Sequence, residues 1–480
     1  MGQDRGIGGG GGSMDAADSM GRAEGVPREL AALVRQLLTL ARRQLPSMQL
    51  RHVVAVMWAL KRLRAPDAAA AAALLRRYLE LLPLATPGEA GAGLLVATEL
   101  GAFRGRAAAA AAGGGGGRGS GGTAAALAPR PDEGSSLMSM YVKSVGSQLL
   151  VTAALGRDGG RQLALALHAL QRWTGRAARP RGSFLRAWAR AAAPRLGDWA
   201  PRDVAMGAAA LGHWREWSPA AEAWVGAAMA AALEPGHMAA MKGADAAGLL
   251  AGFAGMQWGA EAAAAASAAR GAPGPAVGAE GRRAQDVGIG AVVVKGDLGA
   301  RWWAAHQAST LVLLPSLTLQ EISLLLTSSA RLRLTPDPEW VESLGRRGLD
   351  LARGAAARPR THGAACLLLV ALARAAGRLP PDAATDARRA LAPGVAAVAG
   401  ALAPHLAGDS GPLDLVQIAS ALSKLGVRPG PAFVAAHTRG VERVSHALTG
   451  QMWRQVRDAY AALRLAPSEA MVRSFIVHLG

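Results

Sequence analysis

One phrase recurs along the chain. PRDVAMGAAALGHW begins at Pro201 and PLDLVQIASALSKLGVRP at Pro412; each opens on a proline, carries an acid two residues later and spaces its apolar residues as a helix does. Aligned copies start at Leu50, Gly160, Pro201, Gly243, Leu319, His362, Pro412 and Gly450, with a poorer one at Pro87. Successive starts lie 37, 73, 41, 42, 76, 43, 50 and 38 residues apart, so two intervals are close to double the rest. A period of about 40 residues restricts the fold to an array of small units, each completing its core on its neighbours. Each doubled interval is expected to hide one decayed copy.

The chemistry inside a copy specifies its shape. Counting the start as position 1, positions 4, 8, 11 and 14 are mostly apolar: Val204, Ala208, Leu211 and Trp214 in one copy, Leu163, Leu167, Leu170 and Trp173 in another. Steps of four and three put these on one stripe of an α-helix. A proline commonly follows, as at Pro66, Pro219, Pro336, Pro429 and Pro467, and stops that helix. An apolar residue returns four residues after a proline, at Phe184, Trp340, Phe433 and Met471, as a second helix docking on the first would require. The expected fold is all-α, a right-handed α-solenoid of stacked helix-turn-helix repeats of about 38–43 residues, its first helices lining the inner surface. Its expected divisions are a Gly-rich N-terminus at 1–27, repeats at 28–103, a low-complexity insertion at 104–135, repeats at 136–266, a Gly/Ala-rich insertion at 267–300 and repeats at 301–480.

Charge and motifs narrow the function. The formal net charge is +19, which favours a polyanion or an anionic membrane face as partner. Neither 302–320, interrupted by His306 and Pro315, nor 390–408, mostly Ala and Gly, reaches the apolarity of a membrane span, so no insertion is expected. Cys366 is the only cysteine, which excludes an intramolecular disulfide framework and a cysteine-rich zinc site. Its setting, AACLLLVALA, is that of a buried apolar residue. GGGGGRGS lacks the Lys-Ser/Thr ending of a phosphate loop, and GIGAVVVK has no kinase catalytic or metal-binding motif downstream. No catalytic residue, metal, cofactor or small-molecule substrate is expected. The N-terminus carries Asp4, Asp15, Asp18 and Glu24 and has no transit-peptide composition.

What does recur is a cation. Position 13 is Arg62, Arg172, His213, Arg331, Arg374 and Lys424, with Gly255 and Ala462 as exceptions. Positions 2, 6, 9 and 13 form the helix stripe opposite the apolar one, so these cations are expected along one surface of the stacked first helices.

PRDVAMGAAALGHW, PLDLVQIASALSKLGVRP and RHVVAVMWALKRL resemble octatricopeptide repeats, whose phrase runs roughly PQDLANTLWALAKLG followed by P-x-x-x-W. The resemblance covers residues 48–100 and 158–480. The family's asparagine at position 6 is replaced in every copy, and its tryptophan at position 9 survives as Trp58. The family is a set of helical-hairpin repeats, expanded in green algae, that bind RNA in chloroplasts and mitochondria. The resemblance therefore implies single-stranded RNA as ligand, control of transcript stability, processing or translation, other organellar gene-expression proteins as companions, and the chloroplast, with the mitochondrion second, as location. Position 13 would hold phosphates. Positions 2, 6 and 9 would face bases, with Arg51, Trp58, Arg161, His168, Arg202, Gln320, Thr327, Gln417, Ser420, Gln451 and Gln455 as candidates. The alternative is a protein-binding scaffold of the HEAT or armadillo kind.

Overall fold

In a computed structural model the described residues are 28–63, 68–98, 100, 131–174, 179–271, 294, 296–356 and 361–479, and they form helices and turns with no strand among them. The chain divides into two compact units, residues 1–195 and 196–480. Expectations placed on 1–27, 104–130 and 272–293 lie outside the described residues.

The repeat phrase marks helix starts. In the first unit α1 is Arg28–Gln44, α2 Leu50–Arg62, α3 Ala68–Leu81, α4 residues 87–98, α5 Pro131–Ser147, α6 Leu149–Ala153, α7 Gly156–Thr174 and α8 Gly182–Ala192. In the second unit α9 is Pro201–His213, α10 Pro219–Leu233, α11 Gly243–Gly271, α12 Gly296–Leu313, α13 Leu319–Arg331, α14 Pro338–Ala356, α15 His362–Ala376, α16 Pro381–Leu406, α17 Pro412–Leu425, α18 Pro431–Arg443, α19 Gly450–Ala462 and α20 Glu469–Leu479. Seven of the eight clear starts are the first residue of a helix. The exception is Gly160, which lies inside α7. That helix begins earlier, at Gly156, a left-handed glycine (φ 58°) that turns the chain out of the short α6.

Local chemistry explains the starts. Prolines 201, 219, 412 and 431 occupy the first helical turn, where the missing N–H costs nothing. The acid two residues into the phrase is a cap. Glu321 accepts from the Thr318 N–H at 2.7 Å while the Thr318 hydroxyl accepts from the Glu321 N–H at 3.3 Å. Asp245 and Asp414 accept from the Lys242 and Gly411 N–H groups at 3.1 and 3.3 Å.

In the second unit, helices two apart in sequence pack against each other throughout. One layer is α9, α11, α13, α15, α17 and α19; the other is α10, α12, α14, α16, α18 and α20. This is the solenoid architecture the period implies. The core lies between the layers, with Trp224, Trp302, Trp340, Phe433 and Met471 of the second layer all buried. Each such side chain contributes about 1.5–3 kcal/mol over its exposed state. In the first unit α2 pairs with α3, and α5 with α8. Gly91 of α4 lies against the Ala166 backbone of α7. A recurrent hydrogen bond ties the layers. Tyr78 donates to the Ala90 carbonyl at 2.7 Å, Tyr141 to Ala166 at 2.8 Å and Trp188 to Leu163 at 3.2 Å.

The doubled intervals hold no hidden copy among the described residues. The first helices on either side of each interval meet directly, α4 against α7 and α11 against α13. The extra length falls instead between the first and second helix of one pair, 87–98 with α5 and α11 with α12. The expected edges of the insertions also move: α5 begins at Pro131, α11 runs to Gly271 and α12 starts at Gly296. A loop joining two helices of one pair can lengthen without separating neighbouring repeats.

Two buried histidines make this core sensitive to acid. His306 of α12 is fully buried, both ring nitrogens lack partners, and its ring stacks on Trp302 and Trp303 with centroids 5.0 and 5.9 Å away. His437 of α18 donates from Nε2 to the Leu415 carbonyl at 2.9 Å and accepts at Nδ1 from the Tyr460 hydroxyl at 2.9 Å. Burial pushes both down to about 4. Each stays neutral when folded and takes up a proton when unfolded, so stability is full above the ordinary histidine range and falls as pH drops towards 4. Between pH 7 and 5.5 the loss is about 1 kcal/mol per histidine. Urea unfolding of wild type and His306→Phe across this range checks it, the variant showing a shallower pH dependence.

Candidate nucleic-acid interface

The stripe opposite the core is open to solvent in every copy. Positions 4 and 11 are buried in all eight copies, whereas none of the residues at positions 2, 6, 9 and 13 is buried. Position 8 is buried in seven; the eighth, Arg457, pairs with Asp458 at 2.8 Å. The register counted from sequence therefore corresponds to a physical face.

That face is basic for want of acids. In the first unit it carries Arg51, Arg62, Arg161 and Arg172 and no acid among the described residues; position 13 of the poorer copy from Pro87 is Glu99, which lies outside them. In the second it carries Arg202, Arg331, Arg374 and Lys424, with the half-buried His213, against one acid, Asp458. Arg51, Arg62, Arg161, Arg172, Arg202, Arg374 and Lys424 are exposed and make no hydrogen bond, ion pair or ring contact with another described residue. Second-layer charges behave otherwise: Arg301 pairs with Asp297 at 3.8 Å, Arg353 with Asp350 at 3.0 Å, Arg389 with Asp386 at 3.1 Å, and Arg346 with Glu342. The first-layer acids Asp245, Glu321 and Asp414 instead sit at helix N-termini as caps, off the stripe.

The helix dipole accounts for part of this pattern. Cations at position 13 lie in the last turn, where the helix field stabilises them by about 0.3–1 kcal/mol each. The same field disfavours Arg51 and Arg202 in the first turn, while Arg161 lies further along, beyond the first turn of α7. Arginines at both ends of one stripe are not what helix stability selects.

The candidates that would face bases differ in exposure. Gln320, Gln451 and Gln455 are exposed; His168, Thr327, Gln417 and Ser420 are half-buried. Trp58 is half-buried, and Lys61 Nζ lies 4.1 Å from its ring centroid. The stripe of the second unit is not uniformly polar, since Leu324, Leu367 and Leu413 are 38%, 59% and 53% exposed. Cys366 is buried as expected, and burial pushes its thiol up to about 12.

Sequence reasoning missed a second set of arginines. Arg215, Arg333 and Arg464 stand at position 15 of their copies, with φ of 52°, 57° and 53°. Gly426 holds that position in the copy from Pro412, at φ 68°. All four form the same helix ending: Glu216, Leu334, Val427 and Leu465 donate their N–H to Leu211, Ser329, Leu422 and Tyr460 carbonyls at 2.9–3.1 Å. Glycine suits this left-handed site and arginine strains it by about 1 kcal/mol. Glycine's greater freedom in the unfolded chain offsets part of that. Arg464→Gly should therefore stabilise by about 0.5 kcal/mol. A lowered unfolding temperature for this variant would show instead that the arginine side chain contributes to folding. The missed signal was a recurring Arg one position beyond the counted phrase.

A scan of the chain against protein-family models finds no match, and a comparison with curated proteins finds none either. No helix among the described residues is long and apolar enough to cross a membrane.

Proposed function

We propose that the chain binds single-stranded RNA along the solvent-facing stripe of its first-layer helices, without catalysing a reaction. The observation that carries this reading is that in each unit exposed cations of this stripe, Arg51, Arg62, Arg161 and Arg172 in the first and Arg202, Arg374 and Lys424 in the second, pair with no described acid. A stripe on which exposed cations outnumber acids is a surface that a polyanion neutralises, in a manner independent of sequence and sensitive to salt. Position 13 would contact phosphates, and the amides and hydroxyls of Gln320, Thr327, Gln417, Ser420, Gln451 and Gln455 would meet base edges. The resemblance to octatricopeptide repeats supports the same ligand and suggests an organellar transcript as target, in the chloroplast or, second, the mitochondrion. Purifying the protein from its native source and sequencing the RNA it retains tests this. Enrichment of a few organellar transcripts supports it, and recovery of no RNA above background contradicts it.

A second reading, a scaffold for a protein partner, is favoured by one observation. Leu324, Leu367 and Leu413 interrupt the polar stripe of the second unit as an apolar helix partner would require. Mass spectrometry of the same preparation separates the two: a stoichiometric protein surviving ribonuclease treatment supports the scaffold.

A further inference from the structure

The short helix α6 buries Leu149, Thr152 and Ala153 and turns its other residues outward. Leu150 and Val151 are 77% and 72% exposed, and Leu155, in the turn that follows, is 57% exposed. Leu84, at 83%, stands in the turn beside the end of α5. There Ser144 donates to the Leu82 carbonyl at 2.9 Å, and Gln148, the residue before α6, donates to the Ala85 carbonyl at 2.8 Å. Side chains this exposed project from the surface rather than line a groove. Large apolar residues gathered in one region of a surface mark a place that is covered by something.

The helix beside them is basic. α6 and α5 both pack against α8, where Phe184 lies next to Gly146 of α5. α8 reads GSFLRAWARAA and contains no acid; it buries Phe184, Leu185 and Trp188 and exposes Arg186 and Arg190, with Arg181 exposed at its N-cap. These three arginines and the exposed Lys143 of α5 make no hydrogen bond, ion pair or ring contact with another described residue. Arginines on other second helices of the pairs meet acids one turn away, Arg77 with Glu80 at 2.9 Å in α3 and Arg353 with Asp350 at 3.0 Å in α14. The helix dipole disfavours Arg181, so helix stability does not account for the pattern. The acids of this region are few. Glu80 is paired with Arg77, Glu89 caps α4 by accepting from the Thr86 N–H at 3.2 Å, and Asp198 has an interaction of its own. Asp158 follows the exposed Arg157 in the first turn of α7, and Asp132 and Glu133 stand at the far end of α5 from Lys143.

We propose that this part of the first unit, Leu84, Leu150, Val151 and Leu155 with Arg186 and Arg190, rests on the surface of an anionic lipid bilayer. The aliphatic side chains enter the boundary between headgroups and acyl chains, and the arginines hold lipid phosphates. Charge and apolarity together select this occupant. A nucleic acid would satisfy the arginines but leave four aliphatic side chains in water, and a neutral apolar partner would do the reverse. A bilayer with anionic headgroups meets both, and it yields to side chains that project. The contact is peripheral, since no helix among the described residues is long and apolar enough to cross a membrane. None of these residues belongs to the solvent-facing stripe, so the proposal stands apart from the RNA-binding reading.

The test is co-sedimentation of the full chain with vesicles of phosphatidylcholine alone and with vesicles carrying about 30% phosphatidylglycerol. The chain should bind the anionic vesicles at low salt and the neutral ones far less. Arg186→Gln combined with Arg190→Gln should lower that affinity about 25-fold, about 5-fold per cation. Leu150→Ser combined with Val151→Ser should lower it about 10-fold or more. Arg62→Gln combined with Arg172→Gln removes the same charge from the stripe of the same unit and should stay within about 3-fold of wild type, because a cation off the contact is screened. Should the Leu150→Ser, Val151→Ser variant unfold, the two arginine pairs still decide. Failure of wild type to bind anionic vesicles at low salt overturns the proposal. Equal losses from the two arginine pairs overturn it too, reducing the binding to a general attraction of the net charge of +19. A wild-type dimer in analytical ultracentrifugation that Leu150→Ser with Val151→Ser abolishes would assign the patch to a second copy instead.

Discussion

Replacing Arg331, Arg374 and Lys424 together with glutamine lowers affinity for single-stranded RNA about 100-fold at 0.1 M salt and reduces the magnitude of the salt slope by about 2. The expectation follows from geometry and counterion release. All three residues stand at position 13 of the second unit, on α13, α15 and α17, and all three are exposed. Each phosphate neutralised on a single strand releases a fraction of a condensed counterion, so each lost contact removes about 0.7 from the slope. Folding should hardly change at Arg374 and Lys424, where an exposed substitution away from a packed contact costs within about 0.5 kcal/mol, while Arg331 also gives up its contact with the Trp258 ring, worth about 0.5–1 kcal/mol. The loss should also be uniform across RNA sequences, since phosphates carry none. An unchanged slope in the triple variant would reduce position 13 to a solvated face that merely complements the helix dipole.

Gly252→Leu should have the largest effect on stability, a loss of about 3 kcal/mol or more. At Gly252 a Cβ would overlap the Ala208 carbonyl and come within 2.7 Å of the Ala208 Cβ. The obstacle is the backbone of a neighbouring helix, which cannot swing aside as a side chain can. The two helices must separate, and every contact along them is lost with that movement. Gly248 supplies the control. It lies on the same helix but on the open stripe, where the nearest atom to a Cβ is Ala205 Cβ at 3.9 Å. Gly248→Ala should be neutral or stabilise by up to about 1 kcal/mol, because alanine is the better helix former. Chemical unfolding of the two variants side by side reads the contrast. Equal effects would mean that α9 and α11 are not in backbone contact.

Helix starts were legible in the sequence because their signals are local. The proline of Pro412 and the cap of Asp414 lie within one turn, and Val416, Ala419 and Leu422 face the core through helical spacing alone. The solvent-facing stripe followed by subtraction. Features set by neighbouring repeats were not legible. The glycines of α11 carry no apolar side chain for a periodicity to register, yet Gly252, Gly255 and Gly259 are the surface that admits α9 and its following turn. Trp258 lies outside the counted phrase, and its partners Arg215 and Arg331 lie 43 residues before it and 73 after it. No helical periodicity connects three such positions. The doubled intervals misled for a related reason: length inserted within a helix pair looks, in one dimension, like a missing pair.

The central claim is that the first-layer stripe is a track for a single-stranded polyanion. The most direct measurement is the affinity of the wild-type chain for a randomised RNA pool, single-stranded and annealed to its complement, across a series of salt concentrations. A track with several phosphate contacts predicts tight binding to the single strand at low salt, a log–log slope of about −3 or steeper, and weaker binding to the duplex, whose bases are stacked away. Affinity that does not change with salt, or equal binding of both forms, would contradict it.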